Sequence, residues 1–318
     1  MKREIGWEEI SRDTSSVLTA GTFDGVHRGH KAIIDYLKRR ADDRSGTATV
    51  MSFDPHPRAV VHGREVELLS TLEERGDLLQ HYGIDRFVVI PFTREFANLP
   101  ARQYVQEILV NRIGLAEITI GYDHAFGRNR KGDVDLLREM GKTHGFEVDV
   151  IPAKEVEAGV VSSSRIRSLL REGSVSGAAK LLGRLYDLRG TVEYGEGRGR
   201  TIGYPTANIE LGDARKLIPQ LGVYAVRVHR LSTGATHSGM INIGRRPTFD
   251  GMDVTTEVYI LDFEGDLYGE TLRVEFLRRL RDEQKFESAD HLMRQLSDDE
   301  DHCRQVIAAG GFPDSVLS

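Results

Sequence analysis

The stretch Ser16-Val17-Leu18-Thr19-Ala20-Gly21-Thr22-Phe23-Asp24-Gly25-Val26-His27-Arg28-Gly29-His30 decides how this chain folds. Ser16 to Ala20 reads as a short, mostly apolar strand of the kind that is covered on both faces. Lys31 to Arg40 has the spacing of a helix. Between them lie glycines at 21, 25 and 29, which can take positive φ and let a ligand approach the backbone closely. A helix beginning near His30 would aim its first amides, and the positive end of its dipole, at that turn. Two imidazoles three residues apart, His27 and His30, could then both donate hydrogen bonds to one polyphosphate. The segment therefore predicts a phosphate-handling turn between a strand and a helix.

Working outward, the same alternation continues. Thr47 to Phe53, Phe87 to Pro91, Glu117 to Gly121 and Val148 to Ile151 read as strands. Leu72 to Tyr82, Ala101 to Asn111 (with Pro100 at its start) and Leu136 to Lys142 read as helices. Strands separated by helices imply βαβ units and a parallel, Rossmann-like sheet, with ligands at the carboxyl ends of its strands. Near Leu182 the pattern changes. Helical segments at Ser164 to Arg171 and Ser176 to Leu182 end on Gly183. Six β-like runs follow: Leu185 to Tyr194, Thr201 to Ile209, Val223 to His229, His237 to Ile243, Thr255 to Phe263 and Thr271 to Leu280. They predict a closed six-stranded antiparallel barrel, followed by an amphipathic helix over Ala289 to Ala308. The chain thus reads as α/β, with one domain over 1–183 and a second over 184–318.

Bulk composition narrows the function. A chain of 318 residues, 39% hydrophobic and 29% charged, suits two folded domains. The formal charge of -6 gives no support to nucleic-acid binding or to an anionic membrane surface. The basic clusters (Arg128, Arg130, Lys131; Arg198, Arg200; Arg245, Arg246) sit beside glycines, which suits a small phosphate ligand. The lone cysteine, Cys303, excludes an internal disulfide and reads as a bystander on the last helix. Met1 to Arg12 lacks the apolar region of a signal peptide, and no stretch approaches ~18 consecutive apolar residues. A cytoplasmic protein is expected, monomeric or weakly self-associating.

Two further segments carry chemistry. Ser162-Ser163-Ser164-Arg165-Ile166-Arg167 places hydroxyls and a forked guanidinium at a helix start, where they can hold departing phosphates. In Pro205-Thr206-Ala207-Asn208, Thr206 and Asn208 fall on one face of a strand, and oxygen ligands so placed suit Mg²⁺. No GxxxxGK[ST] loop is present. On these residues alone, the first site is that of an adenylyl or cytidylyl transferase with an unnamed acceptor.

The turn and the Ser162 segment together resemble the HxGH nucleotidyltransferases, in their flavin adenylyltransferase branch. Phe53-Asp54-Pro55-His56-Pro57-Arg58, Gly121-Tyr122-Asp123-His124-Ala125-Phe126-Gly127 and Lys131-Gly132-Asp133 support that branch. His124 stands where the family usually has phenylalanine, and Ser164 where it usually has threonine. The barrel resembles riboflavin kinases. Its motifs are Gly195 to Asn208, Gly222-Val223-Tyr224-Ala225, Asn242 to Phe249, Glu257 to Phe263 and Asp266-Leu267-Tyr268-Gly269. Both halves in this order resemble the bifunctional riboflavin kinase/FAD synthetases of bacteria.

The resemblance implies riboflavin, FMN, FAD and ATP as substrates and products. It implies roles for His27, His30 and Arg165 in adenylylation and for Glu257 as the kinase's catalytic carboxylate. ATP and its phosphates would meet Gly21, Phe23, Asp24, Gly29, Ser163 and Ser164 in one domain, and Gly197, Arg200 and Gly203 in the other. The flavin would meet His56, Pro57, Asp123, Phe126 and Arg245, and Thr206 and Asn208 would hold the metal.

Overall fold

The computed structural model describes residues 1–121, 126–151, 161–194, 202–248 and 251–310. Contacts divide the chain into two compact units, Met1–Ser163 and Ser164–Ser318.

The first unit is built on a parallel sheet. Strands β1 (Lys2–Ile5), β2 (Ser16–Ala20), β3 (Thr47–Asp54), β4 (Arg86–Pro91), β5 (Leu115–Gly121) and β6 (Glu147–Ile151) lie in the order β1-β4-β3-β2-β5-β6. Alternate residues of each strand feed opposite faces. Val17, Val50 and Val89 pack with Ile34 and Leu37 of α1 (Arg28–Asp43) and Leu79 of α3 (Leu72–His81). Leu18, Met51 and Val88 pack on the other face with Leu137 of α6 (Val134–His144). Layers on both faces explain why these strands read as apolar runs.

The chain leaves β2 toward β3 on one side and later returns to its other side as β5. The turn after β2 therefore lies at the switch point of the sheet, beside the carboxyl ends where such folds bind ligands.

Three local differences from expectation have physical causes. β1 is unexpected because Lys2-Arg3-Glu4-Ile5 is mostly charged. It is an edge strand, where charge is tolerated, and Glu4 bonds Arg86 of β4 at 2.8 Å. A short helix α2 (Pro57–His62) starts directly on Pro57, and α4 (Arg94–Ala97) is capped by Thr93. The helix expected over Ala101 to Asn111 begins as one α turn, α5 (Ala101–Gln103). It then widens into a π-helix over Tyr104–Ile113. The buried residues Tyr104, Val105, Ile108, Leu109 and Ile113 recur at spacings of four and five. Over so short a span the apolar pattern does not separate that period from an α-helix.

The second unit opens with α7 (Ser163–Arg171) and α8 (Val175–Leu182). By contacts these helices cluster with the barrel. The Gln220 amide donates to Leu170 of α7, and Ala179 of α8 packs with Val223 and Leu277.

The barrel strands are β7 (Asp187–Glu193), β8 (Ala207–Leu211), β9 (Gly222–Arg230), β10 (Thr236–Thr248), β11 (Gly251–Ile260) and β12 (Thr271–Arg281). They close in the order β10-β11-β8-β7-β12-β9, so no edge is left open. Tyr186, Tyr224 and Phe276 fill the interior. The strand expected from Thr201 begins only at Ala207. Gly203 takes φ 83 in a turn, and Pro205 has no amide to give the ladder.

Helix α9 (Ala289–Ala308) lays Cys303 and Val306 against the barrel wall. The Cys303 thiol is buried and donates to the Gly239 carbonyl at 3.2 Å. No helix among the described residues is long and apolar enough to cross a membrane.

Candidate active sites

In the first unit the glycine turn is bent into a left-handed path. φ is 48° at Phe23, 79° at Gly25 and 36° at Val26. Positive φ is cheap for glycine and costly for a phenylalanine or a β-branched valine. His27 ends the turn and caps α1. Its Nδ1 accepts the His30 amide at 3.3 Å, which leaves the ring proton on Nε2. The His27 and His30 rings stack with centroids 3.7 Å apart. A Cβ at Gly29 would sit 3.3 Å from the His27 imidazole, so glycine leaves room for that ring. The first turn of α1 carries no acidic residue, so nothing there opposes an anion at the helix start.

The other candidates of this site fall into distinct places. Gly21 and Gly29 lie on the turn, while the Phe23 and Asp24 side chains point into the interior. Phe23 packs with Val17 and Ile34. Asp24 is fully buried and accepts amides from Leu69 (3.0 and 3.2 Å) and Ser70 (3.0 Å). Those two residues can therefore face a ligand only through their backbone.

The Ser163 hydroxyl donates to the Asp24 carbonyl at 3.1 Å and so belongs with the turn. Ser164 and Arg165 follow it in the first turn of α7, both exposed. His56 caps α2 with its Nδ1 accepting the Arg58 amide at 3.1 Å, and Pro57 opens that helix. Phe126 is buried; it pairs with Gly132 through both backbone bonds and lies 5.4 Å from the Tyr104 ring. Asp123 and His124 lie outside the described residues. Trp7, Phe92 and Phe96, which belong to none of the motifs above, join Phe53, Tyr104 and Phe126 in an aromatic shell around the ends of β3 to β5.

In the barrel, Glu257 of β11 stands directly opposite Asn208 of β8 and Asn242 of β10. Residues so paired share a face of the sheet. The Thr206 hydroxyl donates to the Glu257 carboxylate at 3.4 Å. Thr206, Asn208 and Glu257 are thus brought together, and the register of β10 adds Asn242 to them.

Beside Thr206 an open cleft is lined by Val192, Ala207, Val258, Ile260, Phe263 and Leu267. Gly203 lies in the turn before Pro205. Arg245, exposed on β10, donates its amide to Glu283 at 3.0 Å. Gly197 and Arg200 lie outside the described residues. Among the described residues no group of three or more His, Cys, Asp or Glu side chains could hold a metal ion.

Comparison with known proteins adds two family matches. Residues 9–165 match the FAD synthetase family and residues 182–307 the riboflavin kinase family. Relatives described as bifunctional riboflavin kinase/FMN adenylyltransferase run the length of the chain. One from Listeria monocytogenes is 36% identical over 299 residues, covering 93% of this chain and 94% of its own. One from Escherichia coli K12 is 37% identical over 293 residues, covering 92% of each. A solved structure described as a macrolide-efflux protein from Streptococcus pneumoniae superposes with a TM-score of 0.84 at 34% identity. It covers 95% of this chain and 98% of that one.

Proposed function

The chain belongs to the bifunctional riboflavin kinase/FMN adenylyltransferase family, and on that premise we propose which of its residues carry each reaction. The enzyme makes FMN from riboflavin and ATP, and FAD from FMN and ATP. We assign phosphorylation to 184–318 and adenylylation to 1–183. The efflux description of the structural neighbour has no counterpart in either family match, both of which name flavin chemistry.

In the kinase step the riboflavin 5′-hydroxyl attacks the γ-phosphorus of ATP, and ADP leaves. Glu257 accepts the hydroxyl proton as the new P–O bond forms. Thr206, bonded to the same carboxylate, keeps it aimed at the acceptor. The cleft beside Thr206, lined by both apolar and polar side chains, suits the adenine, and Gly197, Arg200 and Gly203 suit its phosphates. Thr206 and Asn208 supply hard, neutral oxygens next to a carboxylate, a donor set that fits Mg²⁺ shared with phosphate oxygens. When bound there, the ion would offset negative charge on the transferring phosphate. Arg245 is assigned to the flavin.

In the transferase step the FMN phosphate attacks the α-phosphorus of ATP, and pyrophosphate leaves. No protein nucleophile is required, so catalysis is positioning plus charge stabilisation. His27 Nε2–H, His30 and the start of α1 face the triphosphate over Gly21 and Gly29. Ser163, Ser164 and Arg165 hold the departing pyrophosphate. His56, Pro57 and Asp123 serve the flavin phosphate and ring, with Phe126 and its aromatic neighbours shaping the wall behind.

The observation that carries this reading is the capped, stacked His27–His30 pair at the switch point of the parallel sheet. Riboflavin, FMN, FAD and ATP are the partners we assign, with no nucleic acid or membrane, in a cytoplasmic protein that is monomeric or weakly self-associating. Paired variants test the division of labour. Glu257→Ala should abolish FMN formation and leave FMN-to-FAD conversion near the wild-type rate. His27→Ala should do the reverse. Loss of both activities in either variant, measured by separating the flavins, would contradict the assignment.

A further inference from the structure

We propose that Arg75 is a positioning residue for adenylyl transfer, holding the left-handed turn in its phosphate-accepting shape from behind. This inference rests on the adenylyltransferase reading of that turn. Arg75 belongs to none of the motifs described above. It lies on α3 with its side chain buried, 3.9 Å from the Asp24 carboxylate, which is fully buried. Its Nη1 donates to the Ser52 hydroxyl at 3.0 Å, and its Nη2 to the Ser70 carbonyl at 3.4 Å.

Each of these partners holds a backbone or carboxylate group of the turn. The Ser52 hydroxyl donates to the Thr22 carbonyl at 3.0 Å. The Ser70 hydroxyl accepts the Gly25 amide at 2.9 Å and reaches the Asp24 carboxylate at 3.4 Å. The amides of Leu69 and Ser70 complete the Asp24 carboxylate. One guanidinium thus organises the contacts to Thr22, Asp24 and Gly25.

Those contacts flank Phe23 and Val26, the two non-glycine residues of this turn at positive φ. Such conformations are strained and persist only where surrounding bonds impose them. Val26 is followed directly by His27, so the path of the turn fixes where the His27 ring and the first amides of α1 point. Without the guanidinium the buried Asp24 charge also loses a near counter-charge, and the segment Leu69–Ser70 loses its tie to Ser52. The turn then relaxes, and the phosphate donors shift relative to ATP.

Kinetics of Arg75→Met and Arg75→Lys in the full chain test the proposal. Arg75→Met should lower kcat/KM for FMN adenylylation by about tenfold to a hundredfold, the scale expected when reacting groups are misplaced. The KM for ATP should rise and kcat should fall. Arg75→Lys, which can reach one partner but not both, should recover part of the loss. Riboflavin phosphorylation by the same preparations should keep its constants.

An adenylylation KM for ATP that is unchanged, with kcat lowered only in proportion to the unfolded fraction, would make Arg75 a scaffold residue and overturn the proposal. Unchanged constants would overturn it as well. If Arg75→Met does not fold, Ser52→Ala removes the hydroxyl that links Arg75 to Thr22 and carries the same expectation. Wild-type protein that makes no FAD would remove the adenylyltransferase reading and this inference together. Wild-type protein that makes FAD, beside an Arg75→Met enzyme with unaltered constants, would remove the inference alone.

Discussion

Asp24 and His27 sit three residues apart in one motif and do opposite things. His27 turns one imidazole nitrogen to the start of the helix. Asp24 turns inward and spends its carboxylate on Leu69 and Ser70. Spacing in a glycine turn tells which residues are near a phosphate; it does not tell which side chains point at it. Ser52, which bonds Thr22, lies 30 residues from it, and Ser70, which bonds Asp24, lies 46 from it, so nothing local announces Ser52, Ser70 or Arg75. Their role became visible only once β3 and α3 were packed beside the turn.

Cys303 shows the reverse case, a residue whose plain reading holds. Burial pushes its thiol up to about 11, so the thiolate that reacts is suppressed through neutral pH. A thiol reagent at pH 8 should leave Cys303 unlabelled in the native enzyme and label it fully in denaturant. Rapid labelling of the native form would mean that α9 does not pack on the barrel as described.

Among elements, those with a clear period were legible and those set by pairing were not. Helix α9 follows the expected range end to end, because Ser288 caps it and its apolar stripe meets the barrel. Helix α1 starts earlier than the apolar spacing suggests, because the cap is a histidine rather than a common capping residue. Strand β8 is shorter than expected, because Pro205 and the Gly203 turn precede it. In the same strand Asn208 is set against Glu257 by register, and register is not written in composition.

The pairing of β7 with β8 can be broken at one point. A Cβ on Gly190 would fall 2.3 Å from the Glu210 carbonyl and 2.6 Å from Ile209. Gly190→Val should therefore displace β8 and reduce riboflavin phosphorylation at least tenfold, the scale of ~1.4 kcal/mol in transition-state stabilisation. FMN adenylylation should persist. Equal kinase rates for Gly190→Val and wild type would show that β8 placement does not govern the Glu257 site.

At the scale of the whole molecule, the sequence carried both architectures. Alternating strands and helices gave the parallel sheet, and glycine-punctuated runs without helices gave the barrel. The boundary was less legible. Helices α7 and α8 follow the first site's last motif, yet they pack with barrel residues. Apolar faces on short helices do not declare which core they join. The aromatic shell around the ends of β3 to β5 was the least legible part, because its residues are scattered from Trp7 to Phe126.

The central claim is that one chain performs two consecutive steps on the same flavin. The most direct measurement incubates the purified protein with riboflavin and Mg-ATP and separates the flavins over time. FMN should appear first and FAD should follow at its expense, with ADP and pyrophosphate released in the two steps. Steady accumulation of FMN with no FAD, or no conversion of riboflavin at all, would contradict the account.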